Sequence, residues 1–592
     1  MSEIHRSHAG ILSGSGNSKH ELVEALKSAR GEFVHLGAFS FFVNLLMLTG
    51  PLYMLQVYDR VLASQSVPTL TALTLLALIL YATMGGLEWV RSNLFNGFAS
   101  RFEDLLGDRA ANASLELSLS DAGRASDKPL RDLRQLRRFF SSPVLNAVFD
   151  APWSPLFFVV LFMMHPFFGV WAVFGALVLA GLSVLNQKTS AHLLKESEER
   201  ERAAQQRALE MVQNAEVITA LGMQENVKQR WREAFDGSDD NLLRSGRRLA
   251  GFTAATKTFR LFLQSAILGI GAWLIIASRG GASSHGEMVA ASILMGRAIA
   301  PIEQIVGQWR SIVFAHEAWG SLKRFLDRAV PTPEKMELPS ITGRLAVEAA
   351  FAAPPGIRKP VLRGLNFQLE PGDVLGVLGP SAAGKSTLAR VLTGVWPVSA
   401  GSIRLDGADI GLYGQERLGK QIGYLPQQVD LLSGTVRDNI SRFDPSATAE
   451  EIIEAARLAA CHELILGLPN GYDTEIGRAG AYLSAGQRQR VGLARALFRN
   501  PGFVVLDEPN SNLDSPGEEA LKQAVAQLSQ QKATSIIIAH RPNTVMQCNK
   551  LLVLDGGEIR LFGPRDEVLG KIMPKSGGAN VTSMKPRTES HV

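Results

Sequence analysis

The chain has 592 residues, of which 46% are apolar and 20% charged, with a mean hydropathy of +0.07. That length exceeds one ordinary domain, and the composition excludes a disordered or collagen-like chain. Lys and Arg number 61 against 56 Asp and Glu, a net charge of +5 too weak and dispersed to point to nucleic acid. Two cysteines, Cys461 and Cys548, cannot build a disulfide framework or a cysteine-rich metal site, and the pair Cys461–His462 alone is no ligand set.

Residues 1–30 are polar and precede a run from Phe33 to Tyr58 with no acidic residue, Lys or Arg. A bilayer core about 30 Å thick needs roughly 20 apolar residues as helix, so this run is long enough to span. It lacks the short apolar core and small-residue cleavage site of a secretory signal. A second run extends from Val67 to Leu87, and Ala151–Leu185 is long enough for two spans, with His165–Pro166 as the turn between them. Leu261–Ser278 is the fifth, and Met288–Val306, interrupted by Arg297 and Glu303, is the sixth. Those two charges either line a hydrophilic path, pair with each other or snorkel. The connections Arg91–Asp150 and Lys188–Arg260 are rich in Lys and Arg, whereas Asp59–Ser66, His165–Phe167 and Arg279–His285 are short and nearly free of them. The positive-inside rule therefore puts the two long connections and both termini in the cytoplasm.

From about Leu345 the pattern becomes short apolar runs alternating with helical stretches. Asp373–Leu378 reads as a buried strand and is followed at once by Gly379, Pro380, Ser381, Ala382, Ala383, Gly384, Lys385 and Ser386, with Thr387 continuing into a helix. This is G-x-x-x-x-G-K-S between strand and helix, a loop whose backbone N–H groups turn inward around phosphates. Lys385 reaches the β- and γ-phosphates and Ser386 reaches Mg²⁺. A second strand, Phe503–Asp507, ends in a carboxylate suited to Mg²⁺, and Glu508 follows where a general base on water would sit. A third, Thr534–Ala539, leads to His540, a candidate γ-phosphate contact. Leu483, Ser484, Ala485, Gly486 and Gln487 open a helix about twenty residues before Asp507 and offer a further phosphate-binding end.

Residues 340–570 resemble the nucleotide-binding domain of ABC transporters, with every major motif in order. The resemblance implies that Gly379–Ser386 is Walker A, Gln427 in Tyr424–Gln427 the Q-loop glutamine and a Mg²⁺ contact, and Leu483–Gln487 the signature. It likewise implies that Phe503–Asp507 is Walker B, Glu508 the catalytic glutamate, Ser511–Asp514 the D-loop with Asp514, and His540 the switch histidine. It further implies ATP and Mg²⁺ as ligands and a head-to-tail dimer, each ATP held between Walker A of one subunit and the signature of the other. Two departures stand out: Ala485 occupies a usual glycine position, and the segment that usually stacks adenine on an aromatic, here near Ala353, has only Phe351 nearby.

The membrane half narrows the family. Asn44–Val61, Arg131–Arg137 and Asp150–Leu156, with Asn510–Asp514 and His540–Pro542, resemble the protease/lipase exporter (PrtD-type) branch of type I secretion ABC transporters. The implied architecture is an α-helical six-span transmembrane domain of the ABC exporter type fused to an α/β P-loop ABC ATPase domain. The expected layout is a polar segment 1–30, a transmembrane domain 31–330, a linker 331–344, a nucleotide-binding domain 345–570 and a disordered tail 571–592. The implied activity is ATP-driven export of an unfolded polypeptide carrying a C-terminal signal, by a homodimer in the bacterial inner membrane among membrane lipid. Implied partners are a periplasmic membrane-fusion adaptor and a TolC-like outer-membrane channel. Residues 1–30 are too short for the N-terminal peptidase domain of some relatives, so leader processing is not expected. Phe139–Asp150 and Asn214–Met223 are candidate coupling elements, or ordinary interhelical turns. Export of lipid or small hydrophobic molecules is the competing reading; a regulator that only binds ATP fits poorly with intact Lys385, Asp507, Glu508 and His540.

Overall fold

The computed structural model describes residues 21–28, 30–120, 127–277, 284–328, 339–357, 359–477, 480–539 and 545–572. The terminal segments 1–20 and 573–592, and His540 with them, lie outside the described residues. The chain divides into two compact units: Met1–Glu116 with Ser126–Pro331, and Leu117–Ala125 with Thr332–Val592.

The first unit is helical. Among the described residues, six helices are long and apolar enough to cross a membrane: Arg30–Ser64, Val67–Leu119, Pro143–Met164, Pro166–Asn186, Gly246–Ala277 and His285–Gly307. His165 adopts an extended backbone (φ −161°, ψ 135°) that ends one helix, and Pro166 opens the next, as the His-Pro pair predicts. The sixth begins at a capping box, Ser284 accepting from the Glu287 N–H while Glu287 bonds back, so its start is locally encoded. Small residues let these helices approach closely: a Cβ on Gly175 would sit 2.5 Å from Leu263 Cδ1, and one on Gly271 2.6 Å from Met288 Cγ.

Polar side chains pin the helix ends. Arg91 is 1% exposed and donates to Asp150 Oδ1 (2.7 Å), Ser40 Oγ (3.1 Å) and Glu88 Oε1 (2.7 Å), while Asn44 Nδ2 also donates to Asp150 Oδ1 (2.8 Å). This network joins the first three spans and explains why Asn44 and Asp150 interrupt apolar runs. Asp59, in a π-helical turn Val57–Val61, accepts from Ser284 Oγ (2.6 Å) and from the Gly286 N–H (2.9 Å), tying the first span to the sixth. Glu303 pairs with Arg260 on the fifth helix (2.8 Å) and not with Arg297, which is exposed. The 43-residue separation across two helices hid that partner from any local pattern.

Phe139–Asp150 spans the end of the helix Lys128–Phe140 and the helix Pro143–Asp150. It packs inside the first unit, with Phe140, Val144, Leu145 and Ala147 buried and Asp150 held by Arg91. Asn214–Met223 forms a short helix, Ala215–Ala220, between two long ones, with Val217 and Leu221 exposed.

The second unit is α/β. Strands β1 (Leu345–Ala352), β2 (Leu362–Leu369), β4 (Ala400–Leu405) and β5 (Ala408–Asp409) make an antiparallel sheet in the order β2-β1-β4-β5. Strands β3 (Val374–Leu378), β6 (Ile422–Leu425), β7 (Phe503–Asp507), β8 (Thr534–Ile538), β9 (Lys550–Asp555) and β10 (Glu558–Pro564) make the main sheet, ordered β10-β9-β3-β8-β7-β6. All its neighbours are parallel except the β9–β10 hairpin. Every residue of β7 and β8 is buried, which suits their apolar stretches Phe503–Leu506 and Ile536–Ile538. Helix α1 (Lys385–Leu392) and the antiparallel sheet share one core with Leu375, Val377, Val505 and Ile536; α2 (Ala485–Leu497) and α3 (Ser515–Gln530) share the other with Val504, Leu506 and Ile537.

Candidate functional site

Four parallel strands, β3, β8, β7 and β6, end along one edge of the main sheet. That edge is where open α/β sheets hold ligands. The residues that follow are Gly379 after β3, Asp507 at the end of β7 and Gln427 two residues past β6. Gln427 is exposed; His540, two residues past β8, lies outside the described residues.

The loop after β3 has the conformation its composition demands. Gly379 has φ +157° and a Cβ there would fall 2.1 Å from Leu554 O, so no side chain fits. Gly384, the residue before α1, has φ +99°. Ala382 holds a left-handed backbone (φ +65°), Ser381 beside it is exposed and Ala383 is buried. The N-terminus of the eight-residue α1 then faces into the loop's turn, which adds its dipole to the inward N–H groups.

Lys385 Nζ folds back to donate to the carbonyls of Gly379 and Pro380, each at 2.8 Å. Its ammonium is held below its ordinary pKa by burial, against which the Glu508 and Asp507 carboxylates pull upward. Asp507 is 2% exposed. Burial, and secondarily Glu508, raise its carboxyl above the usual range, while a hydrogen bond from Ser386 and the charges of Arg390 and Lys385 oppose the rise. Its Oδ1 is buried without a hydrogen-bond partner. An anionic oxygen so placed costs free energy unless a cation meets it, and with the Ser386 hydroxyl adjacent it fits a hard, oxygen-seeking Mg²⁺. Thr387 is buried behind this pair.

Glu508 adopts a left-handed backbone (φ +50°), its N–H bonded to Ile538 O at 3.0 Å. Helix α2 starts at Ser484, whose Oγ accepts from the Gln487 N–H (3.3 Å) while Gln487 Oε1 accepts from the Ser484 N–H (2.8 Å). Leu483 is buried and anchors this start, whereas Ala485 is exposed. Gly486 is different, because a Cβ there would come 2.9 Å from Asn512 O. Asp514 caps α3 through the Gly517 N–H (3.1 Å) and pairs with Arg490 of α2, which lowers its carboxyl pKa. Arg490 and its neighbour Gln489, the latter 1% exposed, are not singled out by the sequence, because Gln489 sits in the polar run Gln487–Arg490 and only the fold shows it buried. Phe351 lies on the exposed side of β1, its ring beside Gly364 (3.5 Å to a Cβ there), opposite the face of Ala350 and Ala352.

Residues 33–299 match the ABC transporter transmembrane region, and residues 362–511 match the ABC transporter nucleotide domain. The type I secretion system ATP-binding protein PrsD of Rhizobium meliloti is 41% identical over 553 residues, covering 93% of this chain and 94% of that one. This chain belongs to the ABC transporters of type I secretion. The cyclolysin secretion/processing ATP-binding protein CyaB of Bordetella pertussis is 30% identical over 552 residues, 90% of this chain and 75% of the relative. A bacterial Atm1-family ABC exporter with ATP bound superposes with a TM-score of 0.78 at 23% identity, over 94% of this chain and 99% of that one, which establishes the exporter fold. This transporter is accordingly a multi-pass membrane protein that binds ATP and couples its hydrolysis to protein export. Transporters of its family generally work with an adaptor and an outer-membrane channel, and ABC exporters dimerise.

Proposed function

We propose that this chain exports an unfolded polypeptide with a C-terminal signal across the bacterial inner membrane, as a homodimer with both termini cytoplasmic. A periplasmic adaptor and a TolC-like channel would carry the cargo onward. The observation that carries the reading is near full-length identity of 41% to a type I secretion ATP-binding protein, joined to an ATP site with its acid, base and lysine together.

The chemistry follows from the groups at the sheet edge. The loop Gly379–Ser386 and Thr387 would bind the phosphates, with Lys385 exchanging its carbonyl partners for β- and γ-phosphate oxygens. Ser386, Asp507 and Gln427 would hold Mg²⁺, which would supply positive charge against the charge that develops on the phosphates. Glu508 would take a proton from the attacking water as its oxygen bonds to the γ-phosphorus and the bond to the β–γ bridging oxygen breaks. His540 would contact the γ-phosphate, while Leu483–Gln487 of a second copy would close over it and Asp514 would border the joint. Asn214–Met223, with exposed Val217 and Leu221, would pass the closure on to the spans.

The extracellular proteome of cells carrying the wild-type chain is compared with that of cells carrying Glu508→Gln at equal membrane abundance. Selective loss of one or a few proteins from the medium is expected and names the cargo. An unchanged secretome with altered lipid or solute distribution overturns the polypeptide reading.

A further inference from the structure

The turn that carries Glu508 is strained and does not hold itself. Its φ of +50° belongs to a backbone region that residues with a Cβ rarely adopt, and such outliers persist only where surroundings over-determine them. The Glu508 N–H is fixed by Ile538 O (3.0 Å) and its carbonyl by the Ser511 N–H (3.2 Å). A further restraint comes from outside the turn and outside the motifs of the ATP site. Gln489, 1% exposed in α2, donates from Nε2 to Pro509 O (2.9 Å) and to Glu508 O (3.3 Å). Its Oε1 accepts from Asn512 Nδ2 (3.2 Å) and lies 3.5 Å from Ser511 Oγ. One amide therefore grips both sides of the segment 508–512, donating to its first half and accepting from its second.

We infer that Gln489 is a positioning residue for Glu508, the clamp that aims its carboxylate and ties that aim to the helix opened by Ser484. The inference rests on the reading of Glu508 as general base. Donor and acceptor are both needed, because the two halves of the segment present opposite groups: carbonyls at Glu508 and Pro509, N–H and O–H at Asn512 and Ser511. Only an amide of this length supplies both from one side chain. The start of α2 lies against the same segment, Gly486 beside Asn512 O and Arg490 on Asp514, so a shift of the helix start moves the glutamate's turn with it. A general base loses effect when displaced by even part of an ångström, whereas phosphate binding by Gly379–Ser386 does not pass through this segment.

The full-length protein in lipid nanodiscs tests this with Gln489→Met, which keeps length and shape but removes both functions. Gln489→Glu keeps the acceptor and sets a carboxylate against two carbonyls. For both, kcat for Mg-ATP hydrolysis is expected to fall about 10- to 100-fold, with KM and the affinity for a fluorescent ATP analogue within about twofold of wild type. Gln489→Glu is expected to be at least as impaired as Gln489→Met. Glu508→Gln runs alongside. If it is inactive while both Gln489 variants keep kcat within twofold, the positioning role is overturned and the reading of Glu508 stands. A parallel fall of kcat, nucleotide affinity and melting temperature would also overturn it, since that marks a packing residue. Wild-type hydrolysis by Glu508→Gln would remove the reading itself.

Discussion

Gly486 and Ala485 adjoin at the start of α2, yet the structure assigns them opposite tolerances. A Cβ on Gly486 would approach Asn512 O at 2.9 Å, and the contact is with backbone, which cannot swing aside as a flexible side chain would. Relief requires the helix start and the segment 508–512 to part by a few tenths of an ångström. Overpacking of this kind costs about 1–3 kcal/mol, and displacement at a reacting group by 1 Å costs roughly a hundredfold in rate. Gly486→Ala is therefore expected to lower kcat by about tenfold and the melting temperature by about 2–6 °C. Ala485 is exposed, so Ala485→Gly is expected to leave kcat within about twofold, its only cost the added backbone freedom of glycine, roughly 0.5–1 kcal/mol. Steady-state ATPase assays and thermal melts on the two purified variants decide the matter. A Gly486→Ala rate equal to wild type, or a larger loss from Ala485→Gly, would refute the packing argument.

Three further outcomes follow from the nucleotide unit. Arg442 donates to the carbonyls of Gly419, Ile422, Arg495 and Ala496, and burial lowers its pKa only to about 10, so it stays charged at neutral pH. Arg442→Met orphans four acceptors and is expected to cost about 2–3 kcal/mol, read as a lower denaturation midpoint; an unchanged midpoint would contradict this. Burial pushes both cysteine thiols up to about 12, so maleimide at pH 7.5 is expected to label neither Cys461 nor Cys548 until the protein unfolds. Labelling of the folded chain would show the burial to be wrong. The Ser446 hydroxyl and N–H, then Arg499, hold the half-buried Asp444 carboxyl near 2, below its ordinary 3.8. A depressed acid stabilises the fold above its unfolded pKa and loses that effect as pH falls through the folded value, so stability is expected to drop between pH 4 and 2. Ser446→Ala should flatten that slope in pH-dependent melts, and an unaltered slope would exclude the contact as its source.

Much of this architecture was legible because each part is encoded locally. The apolar runs set the spans, His165–Pro166 marked the turn between the third and fourth, and β7 and β8, buried on both faces, carry the apolar stretches Phe503–Leu506 and Ile536–Ile538. The phosphate loop was legible because its glycines answer to backbone demands, such as the close approach of Leu554 O to Gly379. What stayed hidden depends on partners far apart in the chain. For Glu303 the sequence leaves open a hydrophilic path, a pair with Arg297 or snorkelling, while its partner Arg260 lies on another helix. Asp150 was read as part of a coupling element, and only the fold brings it to Arg91 and Asn44. Gln489 escaped because a single polar residue within a helix is silent until the loop it grips is in view.

The measurement that bears most directly on protein export is translocation by purified protein. The chain is reconstituted in proteoliposomes with its nucleotide unit outside, and a cargo identified from the secretome is added unfolded, with and without its C-terminal segment. Protease protection of the cargo is expected only with Mg-ATP, only for wild type and not for Glu508→Gln, and only when the C-terminal segment is present. ATP-dependent movement of lipid or of a hydrophobic dye, with no protected polypeptide, would contradict the account.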